Sequence, residues 1–183
     1  MLSPFTSDYS LRIYASKIAK DLKKPQRNVA RILDRFNQAG LINYTIQGKN
    51  KLYYFNLKDP LVVNLLVMVE TAKSIDFLLR NKRISLMLKE LMTITNVILF
   101  GSYAKGYATR ESDIDLLIIG KKNRRIRETI RKYPFKTNIH YLMLSDFKVK
   151  LKESNALALE IKKNHIIFNN VEPVVKMFIE VIK

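Results

Sequence analysis

Two apolar runs limit what this chain can fold into more than any other stretch of it. Val97-Ile98-Leu99-Phe100 breaks at Gly101-Ser102, ten residues intervene, and a second run opens as Asp113-Ile114-Asp115-Leu116-Leu117-Ile118-Ile119. Read as strands, whose side chains alternate between faces, the second run puts Asp113 and Asp115 on one face and turns Ile114 into the core. Two neighbouring carboxylates repel each other and suit no plain core strand. A divalent cation bridging to phosphate turns that repulsion into binding. Gly101 lets the backbone come close to a phosphate, and Ser102 offers it a hydrogen bond from hydroxyl or backbone. The plainer alternative is an acidic strand end beside a glycine turn.

The spacing Gly-Ser, ten residues, Asp-x-Asp resembles the signature of the nucleotidyltransferase superfamily related to DNA polymerase beta, and within it the minimal nucleotidyltransferases. Gly101-Ser102-Tyr103-Ala104-Lys105-Gly106 through Arg110-Glu111-Ser112-Asp113-Ile114-Asp115 matches it without a gap. The basic-Gly pair Lys105-Gly106 and Ser112 before the first aspartate extend the likeness. The resemblance implies an α/β (α+β) domain with a mixed sheet. It also implies ATP or another nucleoside triphosphate with its phosphates on Gly101, Ser102 and Lys105, and Mg2+ or Mn2+ on Asp113 and Asp115. Ser102, Asp113 and Asp115 are then the catalytic candidates, for transfer of a nucleotidyl group to a hydroxyl of a protein or nucleic acid. Minimal members modify a partner protein, some as the antitoxin of a toxin pair, so a protein acceptor or a toxin partner is implied as a class.

Members that transfer nucleotides carry a third carboxylate on a later strand. The run expected there, Lys136-Thr137-Asn138-Ile139-His140-Tyr141-Leu142-Met143, holds no acid. Alternation gathers Asn138, His140 and Leu142 on one face. Asn is a weak neutral ligand for a hard cation and His prefers softer ions. His140 is the candidate general base, against the plainer reading of a ring satisfied by backbone. Asp146 and Glu153 substitute only if the strand lies elsewhere. Two functions follow: a transferase, or a DNA-binding regulator that senses nucleotide without turnover.

The first third reads as a separate module. Tyr14 to Leu22 has helical spacing, Lys23-Lys24-Pro25 turns, and Val29, Ile32, Leu33 and Phe36 form an apolar stripe closed by Gly40. Runs from Leu41 and from Lys51, joined by Gln47-Gly48-Lys49-Asn50, make a hairpin. The phrases Ile-Ala-Lys-Asp-Leu and Gln-Ala-Gly-Leu-Ile resemble a winged helix-turn-helix, which calls for an opening helix before Tyr14. In that fold the second helix enters the major groove. Gln26, Arg27, Asn28 and Arg31 become candidates for base edges, and Lys49 and Lys51 for phosphate or minor groove. A solvated arginine face or a protein-docking module is the alternative.

Asp59-Pro60 starts a helix to about Arg80 that is apolar nearly all round in its first turns. It is either sandwiched between domains or paired with its copy in a homodimer. Ile126, Ile130 and Tyr133 leave the arginines of residues 124–131 as the wet side of an amphipathic helix, or as a grip on nucleic acid. The organisation is thus residues 1–58 winged helix-turn-helix, 59–94 linking helices and 95–183 nucleotidyltransferase-like domain. A net charge of +17 draws such a chain to polyanions. The absence of cysteine excludes disulfides and thiolate metal sites. No apolar run reaches membrane-spanning length, and no signal-peptide layout opens the chain. These features point to a cytoplasmic protein.

Overall fold

The computed structural model describes residues 2–182. Strand β1 (Ile13–Tyr14) leads into helix α1 (Ala15–Asp21), and after a turn through Lys23 at φ 51° the chain enters α2 (Gln26–Gln38). Strands β2 (Ile42–Gln47) and β3 (Asn50–Phe55) follow, giving an antiparallel sheet of order β1-β3-β2. Val29 and Leu33 of α2 are buried and Phe36 packs against them. Gly40, at φ 76°, stops the helix: its N–H bonds Asn37 O at 2.9 Å, and the Leu41 N–H bonds Phe36 O at 3.0 Å. That pair of bonds satisfies carbonyls the helix leaves open.

The helix expected ahead of Tyr14 is replaced by a single 3-10 turn, Ser3–Phe5; among the described residues no α-helix precedes Ala15. Ser3, Pro4, Ser7, Asp8 and Ser10 favour turns over helix. The segment instead inserts Leu2, Phe5 and Tyr9 as buried plugs, with Phe5 packed 4.9 Å from the Phe55 ring.

Helix α3 (Leu61–Arg80) begins where Asp59 Oδ1 accepts the Leu61 N–H at 2.8 Å, and α4 (Lys82–Met92) follows it. The rest of the chain is β4 (Asn96–Phe100), α5 (Gly101–Lys105), β5 (Ile114–Ile119), α6 (Arg124–Arg131), β6 (Thr137–Leu142), α7 (Leu144–Lys152), α8 (Ala156–Lys163), β7 (Ile166–Ile167) and α9 (Val171–Ile182). Its sheet has the order β6-β5-β4-β7, with β5 antiparallel to β4 and parallel to β6, so it is mixed. Val97, Leu99, Ile114, Leu116 and Ile118 pack with α4 and α6, while Ile98, Phe100 and Leu117 belong to the core built with α7, α8 and α9. Cover on both faces is why β4 and β5 are apolar without alternation. Beyond β6 the chain forms two short helices, α7 and α8, rather than one. Ser154 sits at φ 56° between them, and Asn155 Oδ1 accepts the Ala158 N–H at 3.2 Å to start the second.

One charged knot lies inside the core. Glu70 of α3 is fully buried; its carboxylate accepts from Tyr9 Oη at 2.9 Å and Lys73 Nζ at 2.8 Å, and lies 3.1 Å from His165 Nε2. Lys73 also donates to Thr6 Oγ1 at 2.9 Å. The knot therefore ties the N-terminal segment and α3 to the end of α8 through buried polar bonds. Among the described residues no helix is long and apolar enough to cross a membrane.

Candidate functional site

Strand register brings the motif together. Phe100 of β4 pairs with Asp115 of β5, and Asp115 pairs with Asn138 of β6, so three strands place these residues in one row. Asp113 lies just ahead of β5, two residues from Asp115 and on the same side. Asn138 Nδ2 donates to Asp113 Oδ2 at 3.3 Å and to Asp115 Oδ1 at 3.0 Å. One amide therefore spans both carboxylates. Ahead of them the loop is closed by Ser112, whose Oγ accepts the Thr109 N–H at 2.9 Å.

Gly101 follows Phe100 at φ 68°, a conformation side chains avoid, and opens α5. A Cβ there would lie 2.1 Å from Asp115 Oδ2 and 3.0 Å from its Cγ. The sequence assigns Gly101 to phosphate approach. The structure adds a nearer constraint, the Asp115 carboxylate seated against its bare Cα. Ser102 stands in the first turn of α5, half-buried, beside this row.

Sequence reasoning passed over Lys136. Its Nζ sits 2.8 Å from Asp113 Oδ2. The hydrogen bond from Lys136, helped by that from Asn138, holds the Asp113 carboxyl below its ordinary range, and the same contact raises the Lys136 ammonium. The signal was present: Lys136 is two residues before Asn138, on the same side of the strand.

Other candidates are engaged elsewhere. Lys105, expected on the phosphates, forms an ion pair with Glu160 of α8 at 2.8 Å. His140 shares Asn138's face but lies two residues deeper, its ring tilted against Phe100 at 5.7 Å. Asp146 sits in the first turn of α7, with Ser145 Oγ 3.3 Å from its carboxylate. In the N-terminal unit Gln26, Arg27, Asn28 and Arg31 are exposed along the start of α2, and Lys49 is exposed at the hairpin tip. Lys51 is not free at that tip. Its Nζ bonds Asp34 of α2 at 2.7 Å and lies 4.4 Å from the Tyr44 ring, tying the hairpin to the helix.

Residues 81–179, more than half of the chain, match the family model described as the nucleotidyltransferase domain. The chain belongs to that family. The matched nucleotidyltransferase domain opens at Asn81, ahead of α4, and closes within α9, so it contains the whole mixed sheet and the aspartate row. No curated protein and no solved structure matches the chain.

Nucleotidyltransferase domains use a nucleoside triphosphate and a divalent metal, so the donor set can be tested against such an ion. Two carboxylates converging on one amide offer hard oxygen ligands of the kind magnesium and manganese accept. Asn138 joins them once its amide turns its oxygen inward. The set suits one cation. For a second it lacks a carboxylate, and among the described residues no group of three or more His, Cys, Asp or Glu gathers to hold a metal.

Proposed function

We propose that this nucleotidyltransferase moves the nucleotidyl group of ATP, or another nucleoside triphosphate, to a hydroxyl of a protein or nucleic acid. The hydroxyl oxygen bonds to the α-phosphorus as the bond to the bridging β-phosphate oxygen breaks, pyrophosphate leaves, and the hydroxyl proton passes to solvent. Asp113 and Asp115 hold one Mg2+ or Mn2+, and Gly101 and Ser102 receive the phosphates. The observation that carries the reading is the convergence of both carboxylates on the Asn138 amide, beside a glycine that tolerates no side chain. A cation held by Asp113 and Asp115 would supply Lewis-acid polarisation of the phosphate, and the N–H groups of the Gly101-Ser102 turn would face developing negative charge. A cytoplasmic setting belongs to the same reading.

We further propose that the N-terminal unit is a winged helix-turn-helix that binds DNA. Support comes from the element order β1-α1-α2-β2-β3, from the strand order β1-β3-β2, and from the exposed polar and basic side chains at the start of α2. Gln26, Arg27, Asn28 and Arg31 would meet the major groove, Lys49 the phosphates, and Lys51 would act by holding the hairpin against α2.

A second reading rests on Asn138 and Lys136. An amide stands where the motif resemblance calls for an acid, and the Lys136 ammonium already pairs with Asp113. That arrangement suits a DNA-binding regulator, alone or as the antitoxin-like partner of a toxin, that holds nucleotide without consuming it. ATP labelled at the α-phosphate, incubated with the protein, Mn2+ and a cell extract, separates the two. Label passing to a macromolecule, and falling at least about a hundredfold in Asp115→Asn, supports the transferase. Saturable ATP binding with no transfer supports the regulator. Absence of binding by ATP and by the other nucleoside triphosphates sinks both.

Whichever holds, Lys136→Ala removes a cation competing for Asp113. Divalent ion binding followed by titration calorimetry should tighten about two- to fivefold, the scale of an exposed ion pair. Unchanged or weaker binding would show that Lys136 does not compete with the metal.

A further inference from the structure

The face of α3 turned from the core is apolar along its whole length. Leu61, Met68, Ile75 and Leu79 are 58%, 70%, 53% and 67% exposed. Leu65, half-buried, and exposed Ala72 complete the row. Val62, Leu66, Glu70, Ser74 and Phe77 occupy the opposite, buried face. The steps along the exposed row run four, three, four, three, four, which is the 3.5-residue repeat of a two-helix seam. The row is also symmetric about position 70. Reversing the helix there lays Leu61 on Leu79, Leu65 on Ile75 and Met68 on Ala72. Each layer then joins two apolar side chains, and in the central layers the long Met faces the short Ala.

We propose that α3 is the two-fold seam of a homodimer, with two copies packed antiparallel along this row. A seam that maps onto itself on reversal has the property a two-fold interface requires. Charge selects the same face. The chain carries +17 overall, which opposes self-association elsewhere on its surface. Between positions 61 and 79 the charged residues are Glu70, Lys73 and Asp76, and the first two are paired with each other at 2.8 Å against the core. Asn64, Thr71 and Asp76 flank the row, so no lysine or arginine of one copy is set against those of the other along it. The extent is sufficient. Twenty residues give a seam about 30 Å long. The six side chains together offer about 600 Å² per copy, the lower end of the roughly 1,200–2,000 Å² total of a stable interface. The inference stands apart from the transfer chemistry, because none of its residues lies in the aspartate row.

Sedimentation of the full chain at micromolar concentration tests it. The wild type is expected as a dimer. Met68→Glu with Ile75→Glu, both at exposed positions, should weaken the dimer by about a hundredfold or more while leaving the circular dichroism of the monomer unchanged. The chain has no cysteine, so orientation can be read by oxidation of single variants. A disulfide should join Leu61→Cys to Leu79→Cys when the two are mixed, and neither variant should link to itself. A monomeric wild type, a dimer that ignores the glutamates, or self-linking of either cysteine variant overturns the proposal. If the glutamate variant fails to fold, the cysteine pair decides alone.

Discussion

Replacing Gly101 by alanine should unfold part of the margin that keeps this protein native and disable its nucleotide chemistry together. The new Cβ would stand 2.1 Å from Asp115 Oδ2, on a backbone at φ 68°. The left-handed backbone and the overlap each cost about 1–3 kcal/mol. Asp115 can swing away to relieve the overlap, but only by leaving Asp113 and the Asn138 amide. Stability and function are therefore linked: what the fold recovers by moving the carboxylate, the site loses. Gly106 supplies the control. It sits at φ 82° with nothing within 4 Å of its added Cβ, so Gly106→Ala should show only the backbone cost. Thermal unfolding should place Gly101→Ala several degrees below Gly106→Ala, and nucleotide-dependent label transfer or ATP binding should be lost only in the former. Equal melting temperatures with equal activity would dissolve the proposed contact.

Glu70→Ala is expected to destabilise the protein by about 3–5 kcal/mol, since it removes the buried acceptor of the Tyr9 and Lys73 bonds and the partner of the His165 ring nitrogen. The wild-type carboxyl is subject to opposing effects. Burial pushes its pKa up, but His165 and then Lys73 overcome it and bring the value down from 4.5 to about 2. A folded-state pKa below the unfolded one means the carboxylate stabilises the fold above about pH 4.5. That contribution fades as pH falls toward 2. Melting temperatures of the wild type should drop through this acid window, while Glu70→Gln, which cannot titrate there, should start lower and fall less steeply. Parallel profiles for the two proteins would falsify the role given to the knot.

The sequence was most informative where the relevant physics is local. Alternation in residues 113–119 placed both aspartates on one side, and the same rule, applied to residues 136–143, put Asn138 and His140 on one face; the parallel register alone selects Asn138 as the residue opposite Asp115. Gly40 announced the end of α2 because a left-handed cap leaves a local mark. The opening helix was an inference from a fold template, and the turn-forming residues from Ser3 to Ser10 prevailed. Long-range contacts left no mark: Glu70 and His165 are 95 positions apart, and neither carries a pattern that names the other. Lys105 illustrates the same gap, since only the packing of α8 beside α5 shows that Glu160 is there to take it. Position 101 could be read as an approach to phosphate, yet the nearer neighbour is a side chain that folding alone delivers.

Strand β6 lies at the border of its sheet, and its Asn138 meets solvent. An exchange of –NH2 for –O− at this spot would add a full negative charge beside Asp113 and Asp115 without rewriting any ladder bond, because the backbone of Asn138 and not its amide holds the register. Capacity for a second ion is thereby uncoupled from architecture. The same scaffold can host either electrostatic state, and passage between them asks for one atom at an outer rim rather than a rebuilt interior.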